Sequence, residues 1–373
     1  MAPEELRAWL RLLLAPQIGR GTARRLLAAF GTAQAVFEAS PDALRAVVTA
    51  KQAATLGQSV AELDALLLAT TAWLNASDAA APRHVITLGD AMFPSALLET
   101  ADPPLMLYAQ GSVDLLQRFS SSLAIVGSRN PTPQGLDTAR SFAEQVSRAG
   151  LTVVSGLALG IDAAAHEGAL SGAAPGQAAT IAVVGTGLDR VYPSRHLKLA
   201  HRVAAQGLML SEYPIGTPPL PPNFPLRNRI IAGLARATLV VEAALPSDSL
   251  VTAKQALEAG RDVLAIPGSI HSPLSRGCHM LIKQGAKLVD SAQDVLEEFG
   301  QVTAPKTATP SNDSVTSDRP LLDALGYDPV SLDALSARTC RSAADLNGAL
   351  LELELEGRVK RLPGQLFQRC ALA

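Results

Sequence analysis

Leucine and alanine side chains recur at three- and four-residue intervals through residues 1–78, with few β-branched residues between them. That interval is the period of an amphipathic helix, so we predict a helical N-terminal domain over residues 1–80. Within it, residues 16–27 (PQIGRGTARRLL) have the pattern of a helix, a tight glycine turn and a second helix. Such a turn is typical of a helix-hairpin-helix motif, whose amides can bind a DNA phosphate, and equally of a turn that only packs two helices.

Between residues 84 and 289 the pattern changes to short β-branched runs, most of them separated by helical stretches of about ten to fifteen residues. This alternation predicts an α/β fold: a Rossmann-like, doubly wound, mostly parallel sheet, which we place in residues 81–300. Ligands of such sheets bind at the carboxyl ends of the strands. The predicted strands are Ala124–Val126, Thr152–Val154, Ile181–Val184, Leu208–Leu210, Thr238–Val241, Val263–Ile266 and Lys287–Val289.

Residues 301–318 are rich in Thr, Ser and Pro and have no hydrophobic period, which predicts a linker. Apolar spacing beyond it predicts three short helices, and residues 357–369 predict a hairpin. Three helices and a hairpin indicate a winged-helix domain over residues 319–373. The three helices are Leu321–Leu325, Leu332–Leu335 and Ala343–Leu355.

The third of these helices is acidic, because it carries Asp345, Glu352 and Glu354 and is followed by Glu356. A helix that reads bases in DNA is normally basic or neutral. We therefore favour a protein-contact role for this helix over base readout.

Composition and charge narrow the class of protein. The three cysteines form no Cys-x-x-Cys pair, the N-terminus lacks the pattern of a signal peptide, and no apolar run reaches the roughly twenty residues of a membrane span. We expect a cytoplasmic protein with no membrane contact. The net charge of −2 argues against coating nucleic acid by bulk charge. Basic residues gather instead in acid-free segments such as 190–202 and 223–237, which suit either a focused anionic partner or a solvated face.

The segment 123–135 (LAIVGSRNPTPQG) places Gly127, Ser128 and Arg129 between a predicted strand and a predicted helix. A helix N-terminus carries unpaired N–H donors and partial positive charge, and a planar guanidinium matches two phosphate oxygens. We favour a phosphate-binding role for Arg129. The alternative is an ion pair with an acid on the next loop.

A second strand-loop-helix junction follows at residues 155–166, which include Gly156. Asp162 and His166 are four residues apart and could act as an acid–base pair on one helix face. Because no nucleophile or set of metal ligands accompanies them, we favour a structural interpretation: Asp162 orders the loop and His166 packs beneath it.

A third junction contains Gly185 and Gly187, but the dinucleotide-binding pattern fails because the third glycine is absent. A basic segment with Arg195 and Lys198 follows it. We predict a second phosphate site with a floor of glycine amides and walls formed by these two side chains. Two such sites would define a strand of nucleic acid.

Arg227, Asn228 and Arg229 lie near the start of a predicted helix, where cations are electrostatically unfavourable. Either an anionic ligand compensates the two arginines, or they pair with Glu242 or Asp248, and the sequence leaves both open. We find no Walker loop, no zinc-protease motif and no nucleophile elbow. We therefore predict no catalytic residue, no metal ligand and no cofactor.

These motifs together resemble the DNA-processing protein A (DprA, or Smf) family. The resemblance extends in order through the whole Rossmann-like domain, and both terminal regions fit the family's layout. The matching segments are Gly127–Arg129, Ser155–His166, Gly185–Asp189 with Tyr192–Pro193, Phe224–Gly233, Glu242–Ala243, Ser249–Ala253, Gly260–Val263, Ile266–Gly268 and Gly277–Ala286.

The resemblance implies a cytoplasmic homodimer that binds single-stranded DNA in natural transformation, protects incoming strands and loads the RecA recombinase, without catalysis. It makes Arg129 the principal DNA contact. Two positions depart from the family pattern: Ser194 replaces a basic residue after Tyr-Pro, so Arg195 or Lys198 takes over, and Asp248 adds a negative charge where Ser-Gly-Ser is usual. The predicted DNA-contacting residues are Gly127, Ser128, Arg129, Gly156, Gly185, Gly187, Arg195, Lys198, Arg227, Asn228 and Arg229.

Two other functions compete with this one. A nucleotide-processing hydrolase of the lysine-decarboxylase-like phosphoribohydrolase type has a similar fold, but residues 242–252 lack its Pro-Gly-Gly-x-Gly-Thr run. A duplex-binding regulator would use the winged helix, which the acidic third helix disfavours. A weak duplex contact through either terminal domain stays open.

Overall fold

A computed structural model of the protein describes residues 1–301 and 319–370. These residues form two compact units. The first comprises Met1–Pro131 and Thr138–Gly300, and the second comprises Thr132–Asp137 and the described part of 301–373. Except for Gln301, the predicted linker 301–318 lies outside the described residues. The predicted domain boundary near residue 80 stays a prediction.

The N-terminal region is helical, as its apolar spacing predicts. Pro3 starts the first helix, where its missing N–H costs nothing. Thr49 and Gln52 form a reciprocal capping box at the start of the fifth helix. The six helices are α1 (Pro3–Leu14), α2 (Arg20–Phe30), α3 (Ala33–Glu38), α4 (Pro41–Arg45), α5 (Ala50–Leu56) and α6 (Leu63–Asn75).

A nine-stranded sheet follows, in the order β1-β2-β6-β5-β4-β3-β7-β8-β9. All pairs from β6 to β9 are parallel, and β1 and β2 are antiparallel additions at one edge. The strands are β1 (Arg83–Thr87), β2 (Met106–Gly111), β3 (Ser122–Val126), β4 (Thr152–Ser155), β5 (Thr180–Val184), β6 (Leu208–Ser211), β7 (Ala237–Val240), β8 (Asp262–Ala265) and β9 (Lys287–Leu288).

The Rossmann-like prediction is confirmed, and each of its seven strands begins and ends within two residues of the predicted position. Strands β1 and β2 were not predicted from the sequence. Helices connect the parallel strands, and β7 lies beside β3 on the side opposite β4. The helices of this region are α7 (Ser95–Leu98), α8 (Pro133–Arg148), α9 (Ile161–Gly172), α10 (Leu197–Gln206), α11 (Asn223–Leu234), α12 (Asp248–Glu258), α13 (Arg276–Lys283) and α14 (Ala292–Glu298).

Strand β2 contributes to two hydrophobic cores. Leu107 and Ala109 belong to the core around the parallel sheet. Met106 and Tyr108 belong to the core of the N-terminal helices. Because successive side chains of a strand point to opposite faces, β2 joins the helical region to the sheet.

The second unit contains a winged helix, as predicted. Its helices are α15 (Arg319–Leu325), α16 (Leu332–Thr339) and α17 (Ala343–Leu355), and its strands are β10 (Val330–Ser331), β11 (Val359–Leu362) and β12 (Leu366–Arg369). The sheet order is β10-β12-β11, and the two-residue β10 was not predicted. Leu335, Leu350 and Phe367 lie in its core. Over residues 1–301 and 319–370, no helix has the length and apolar character needed to cross a membrane.

Candidate nucleic-acid interface

Loops at the carboxyl ends of neighbouring parallel strands line a cleft. Arg129 follows β3, Gly156 follows β4 and Gly185 follows β5, and Tyr192 and Phe224 lie against them. The chain passes from β3 to β4 on one side and returns to β7 on the other, so β3 and β7 flank the topological switch point of the sheet. Ligands of doubly wound sheets bind at this point.

Arg129 is the exposed cation of the cleft. Its Nη2 atom lies 2.6 Å from Oδ2 of Asp248, the first residue of α12, and 52% of each side chain is exposed. The guanidinium carbon also lies 5.9 Å from the centroid of the Phe224 ring, a cation–π contact. The structure therefore contains an ion pair of Arg129 with an acid, the alternative interpretation of this position, and half of the Arg129 side chain is still open to solvent.

Ser128 and Gly156 use their N–H groups inside the protein. Ser128 N–H donates to the Glu242 carbonyl at 2.7 Å, and Gly156 N–H donates to Oδ2 of Asp162 at 3.1 Å. This corrects the expectation that these amides aim at a phosphate, because each already has a strong acceptor. The loops instead bring side chains together.

Gly127 and Gly160 allow two loops to touch. A Cβ atom on Gly127 would lie 2.6 Å from the Ile161 side chain, and one on Gly160 would lie 2.3 Å from the Ser128 carbonyl. Gly160 also has φ of +80°, a conformation that a side chain disfavours. Both positions thus require glycine to seat the Gly-Ser-Arg loop on the start of α9.

Asp162 and His166 have structural contacts, which agrees with the favoured interpretation. The Asp162 carboxylate accepts hydrogen bonds from the N–H groups of Gly156 and Ala158. Burial raises the pKa of this carboxyl group above its usual value, although Arg227 and the two hydrogen bonds oppose the rise. His166 is fully buried, with Nδ1 2.8 Å from the Thr180 hydroxyl. Burial, together with the charges of His196 and Arg227, lowers the pKa of His166 to about 3.

Replacing His166 should remove a pH dependence of folding stability. Because the unfolded imidazole titrates near pH 6.5 and the folded one near 3, its contribution is complete above pH 6.5 and is lost as the pH falls. The free energy of unfolding should fall by about 1.4 kcal/mol per pH unit in this window. Urea titrations at pH 6, 5 and 4 give the free energy of unfolding at each pH. Plotted against pH, this free energy should have a slope that is shallower by this amount in His166→Gln than in the wild type.

His201→Gln is the matched control, because that histidine is exposed on α10. It should leave the slope of the wild type unchanged. An equal slope in His166→Gln and the wild type would show that His166 is protonated in the folded protein.

Gly185 and Gly187 are also engaged within the fold. The Gly185 carbonyl accepts the Asn223 side-chain amide at 3.0 Å, and Gly187 N–H donates to the Thr217 carbonyl at 3.1 Å. The Gly187 N–H is therefore already bonded within the protein and does not contribute to the expected floor of glycine amides under a second phosphate.

Arg195 and Lys198 form the second exposed basic group. Both side chains are exposed, and neither makes a hydrogen bond or ion pair with any residue that the structure describes. Tyr192 is half exposed beside them, and its ring centroid lies 5.4 Å from that of Phe224. The aromatic pair thus lies next to Arg129, and Tyr192 precedes Arg195 by three residues in the chain.

Arg227 and Asn228 are buried, which argues against their predicted role as DNA contacts. The Arg227 guanidinium donates to the carbonyls of Gly156, at 2.6 Å, and Val183, and to the Asn228 side chain. Burial lowers the pKa of Arg227 to about 10, so the side chain stays charged at neutral pH. The residue therefore joins the loop after β4 to the carboxyl end of β5. The helical period was the missed signal, because Arg227 shares a face with Ile230, Ile231 and Leu234.

Arg229 pairs with acids other than those considered from the sequence. Its guanidinium contacts Glu212 and, at 3.3 Å, Asp102 instead of Glu242 or Asp248. Arg20 contacts the same two acids, at 3.2 and 2.6 Å, and Arg24 contacts Asp102 at 2.7 Å. Two arginines of the N-terminal glycine turn are thus neutralised within the fold, and Arg229 is only 12% exposed.

Comparison with known proteins places these features in a family. The family model described as DNA recombination-mediator protein A matches residues 84–300. Models of a DprA-like N-terminal helix-hairpin-helix domain and a DprA winged-helix domain match residues 3–65 and 304–365.

Individual relatives agree with these matches. Protein Smf of Escherichia coli (strain K12) is 42% identical over 290 residues, which are 75% of this chain and 76% of that protein. The X-ray structure of DNA processing protein A from Streptococcus pneumoniae is 36% identical with a TM-score of 0.66, over 81% of this chain and 99% of that one. A structure of the Helicobacter pylori protein, described for its single-stranded DNA binding mode, is 30% identical with a TM-score of 0.52, over 58% and 95%.

Proposed function

This chain belongs to the DNA recombination-mediator protein A family, and from that membership we propose that it binds single-stranded DNA in the cleft between β3, β4 and β5. The observation that carries the proposal is the half-exposed guanidinium of Arg129 at the switch point of the sheet. The Helicobacter pylori relative, described for binding single-stranded DNA, supports the same ligand class. The role is binding, and the proposal includes no catalytic step.

The exposed cations define a path for the strand. Arg129 binds one phosphate, and the strand continues past Tyr192 to Arg195 and Lys198, which have no acidic partner among the described residues. Arg202 extends this basic face, because it lies four residues after Lys198 on α10. Several phosphate contacts in series suit a strand better than a mononucleotide.

The aromatic pair favours unpaired bases. Tyr192, half of which is exposed, and Phe224 lie close to Arg129, and stacking on such rings requires a base that is free of its duplex partner. A duplex offers the same phosphates but no free base faces here. Preference for single strands therefore follows from the rings, and affinity follows from the arginines and the lysine.

The direct test is a fluorescence-anisotropy titration of labelled oligothymidylate and of a duplex of equal length at two salt concentrations. We expect tight binding of the single strand, weaker binding of the duplex, and loss of affinity at higher salt. Equal affinity for both, or no binding, would contradict the proposal. Release of free base from a nucleoside monophosphate would instead indicate the nucleotide-processing hydrolase.

Removing Arg195 and Lys198 should reduce the salt dependence of DNA binding by an amount that reports the number of lost phosphate contacts. In Arg195→Ala/Lys198→Ala, we expect the slope of log K against log salt to become shallower by about 1.4, because each single-strand phosphate contact contributes roughly 0.7. Titrations at four salt concentrations measure that slope.

Lys254→Ala is a control for this variant. Lys254 is an exposed lysine on α12 that pairs with Glu258. If the double variant and this control have the same slope as the wild type, the strand does not follow α10.

RecA loading, strand protection and a homodimeric state are further parts of the proposal, and they rest on family membership. Loading is testable as faster RecA ATP hydrolysis on strands coated beforehand with a single-strand-binding protein. Protection is testable as slower nuclease digestion, and the dimer by analytical ultracentrifugation. A weak duplex contact would have to avoid Arg20 and Arg24, which are already paired with Asp102 and Glu212.

A further inference from the structure

We propose that Asp248 is an internal competitor for the phosphate site. Its carboxylate pairs with Arg129 in the free protein, and a DNA phosphate must displace it when a strand binds. This inference rests on the proposed function, because it concerns the same cleft. It adds a residue that sets affinity by opposing the ligand.

The geometry places the carboxylate where an anionic ligand would bind. Oδ2 of Asp248 lies 2.6 Å from Nη2 of Arg129, so the anion nearest the exposed guanidinium is the protein's own. Arg129 follows β3 and Asp248 follows β7, the two strands that flank the switch point. A phosphate and this carboxylate cannot both accept from the same N–H groups of Arg129 in the same geometry.

The position of Asp248 is fixed by its backbone. Its carbonyl accepts the Thr252 hydroxyl at 3.2 Å and the Asn228 side-chain amide at 3.4 Å, and Ser247 caps the helix immediately before it. These contacts hold the backbone of Asp248 in place next to Arg129. Displacement by DNA must occur by rotation of the two side chains.

The ion pair is weak enough for a ligand to displace. Both side chains are 52% exposed, and ion pairs of that exposure contribute little to stability. The remaining charge of Asp248 still opposes a phosphate next to Arg129, and it cancels positive potential at the N-terminus of α12. Removing the charge should therefore strengthen strand binding about two- to tenfold.

The test compares Asp248→Asn with the wild type by anisotropy titration of labelled oligothymidylate. We expect tighter binding and a steeper salt slope, by at most about 0.7, because in the wild type the displaced Asp248 carboxylate takes back part of the cation that the neutralised phosphate releases. Glu258→Gln is the control, because it removes the same charge at the other end of α12, where Glu258 pairs with Lys254. That variant should bind like the wild type.

A double-mutant cycle with Arg129→Ala shows whether Asp248 acts through Arg129. We expect Asp248→Asn to gain little in the Arg129→Ala background. Unchanged or weaker binding in Asp248→Asn, an equal gain in Glu258→Gln, or a full gain without Arg129 would each overturn the competitor role. If Arg129→Ala binds as tightly as the wild type, the proposed function fails, and this inference fails with it.

Discussion

Replacing Arg129 with alanine is expected to weaken single-stranded DNA binding by about 10- to 100-fold while leaving the fold intact. The guanidinium is the exposed donor at the switch point of the sheet, and charge-assisted contacts to phosphate are among the stronger hydrogen bonds in proteins. Its partner Asp248 is half exposed, so it stays hydrated when the arginine is removed. Folding should therefore change little.

Anisotropy titration at fixed salt measures this loss, and a urea titration of the same samples verifies the fold. Arg148→Ala is the matched control, because Arg148 is an exposed arginine at the far end of α8 that pairs with Glu144. It removes the same charge and should retain the affinity of the wild type. Equal affinities in Arg129→Ala and Arg148→Ala would show that the strand binds elsewhere.

Replacing Arg227 with methionine should cause a large loss of folding stability, whereas Arg129→Ala should leave stability almost unchanged. The free energy of unfolding is expected to fall by about 3–5 kcal/mol, the usual cost of removing one partner from a buried charged network. Methionine fills the space of the aliphatic stem, but the Gly156 and Val183 carbonyls lose their donor and buried Asp162 loses its nearby cation. DNA binding should weaken as well, because the loop after β4 loses its support.

Urea denaturation followed by circular dichroism measures the change, with Arg148→Ala again as the control, expected within about 0.5 kcal/mol of the wild type. A variant that keeps the wild-type free energy of unfolding but loses DNA binding would return Arg227 to the set of direct DNA contacts. The two arginine variants thus separate contact with the strand from support of the loops.

The parallel sheet could be predicted from the sequence because buried parallel strands appear as short, continuous β-branched runs. The runs of β3, β4, β5, β7 and β8 are of this kind, whereas β6 and β9 contain no β-branched side chain and were predicted within the alternation of helices and strands. Strand β2 lies between the edge strand β1 and β6, and both of its pairings are antiparallel. Its residues Met106–Gly111 contain no β-branched side chain, so neither strand propensity nor the helix–strand alternation identified it.

The loops of the site could also be located from the sequence, but not the state of each side chain in them. Whether an arginine near a strand end faces solvent depends on neighbours that are distant in the chain. Arg129 meets Asp248, 119 residues away, and Arg227 meets the Gly156 carbonyl, 71 residues away. Local pattern indicated basic residues in these loops, and tertiary contacts decided which of their side chains stay exposed.

The double role of β2 means that the helical region is not a detachable module. Tyr108 is fully buried, with its ring edge against Trp73 at a centroid distance of 5.8 Å, and Met106 lies in the same core. Deleting residues 1–75, which end with α6, would expose the apolar face of β2 and leave Glu212 and Asp102 without Arg20. A shortened protein of that kind would be prone to self-association, so the role of the N-terminal helices is better studied with point variants in the intact chain than by truncation.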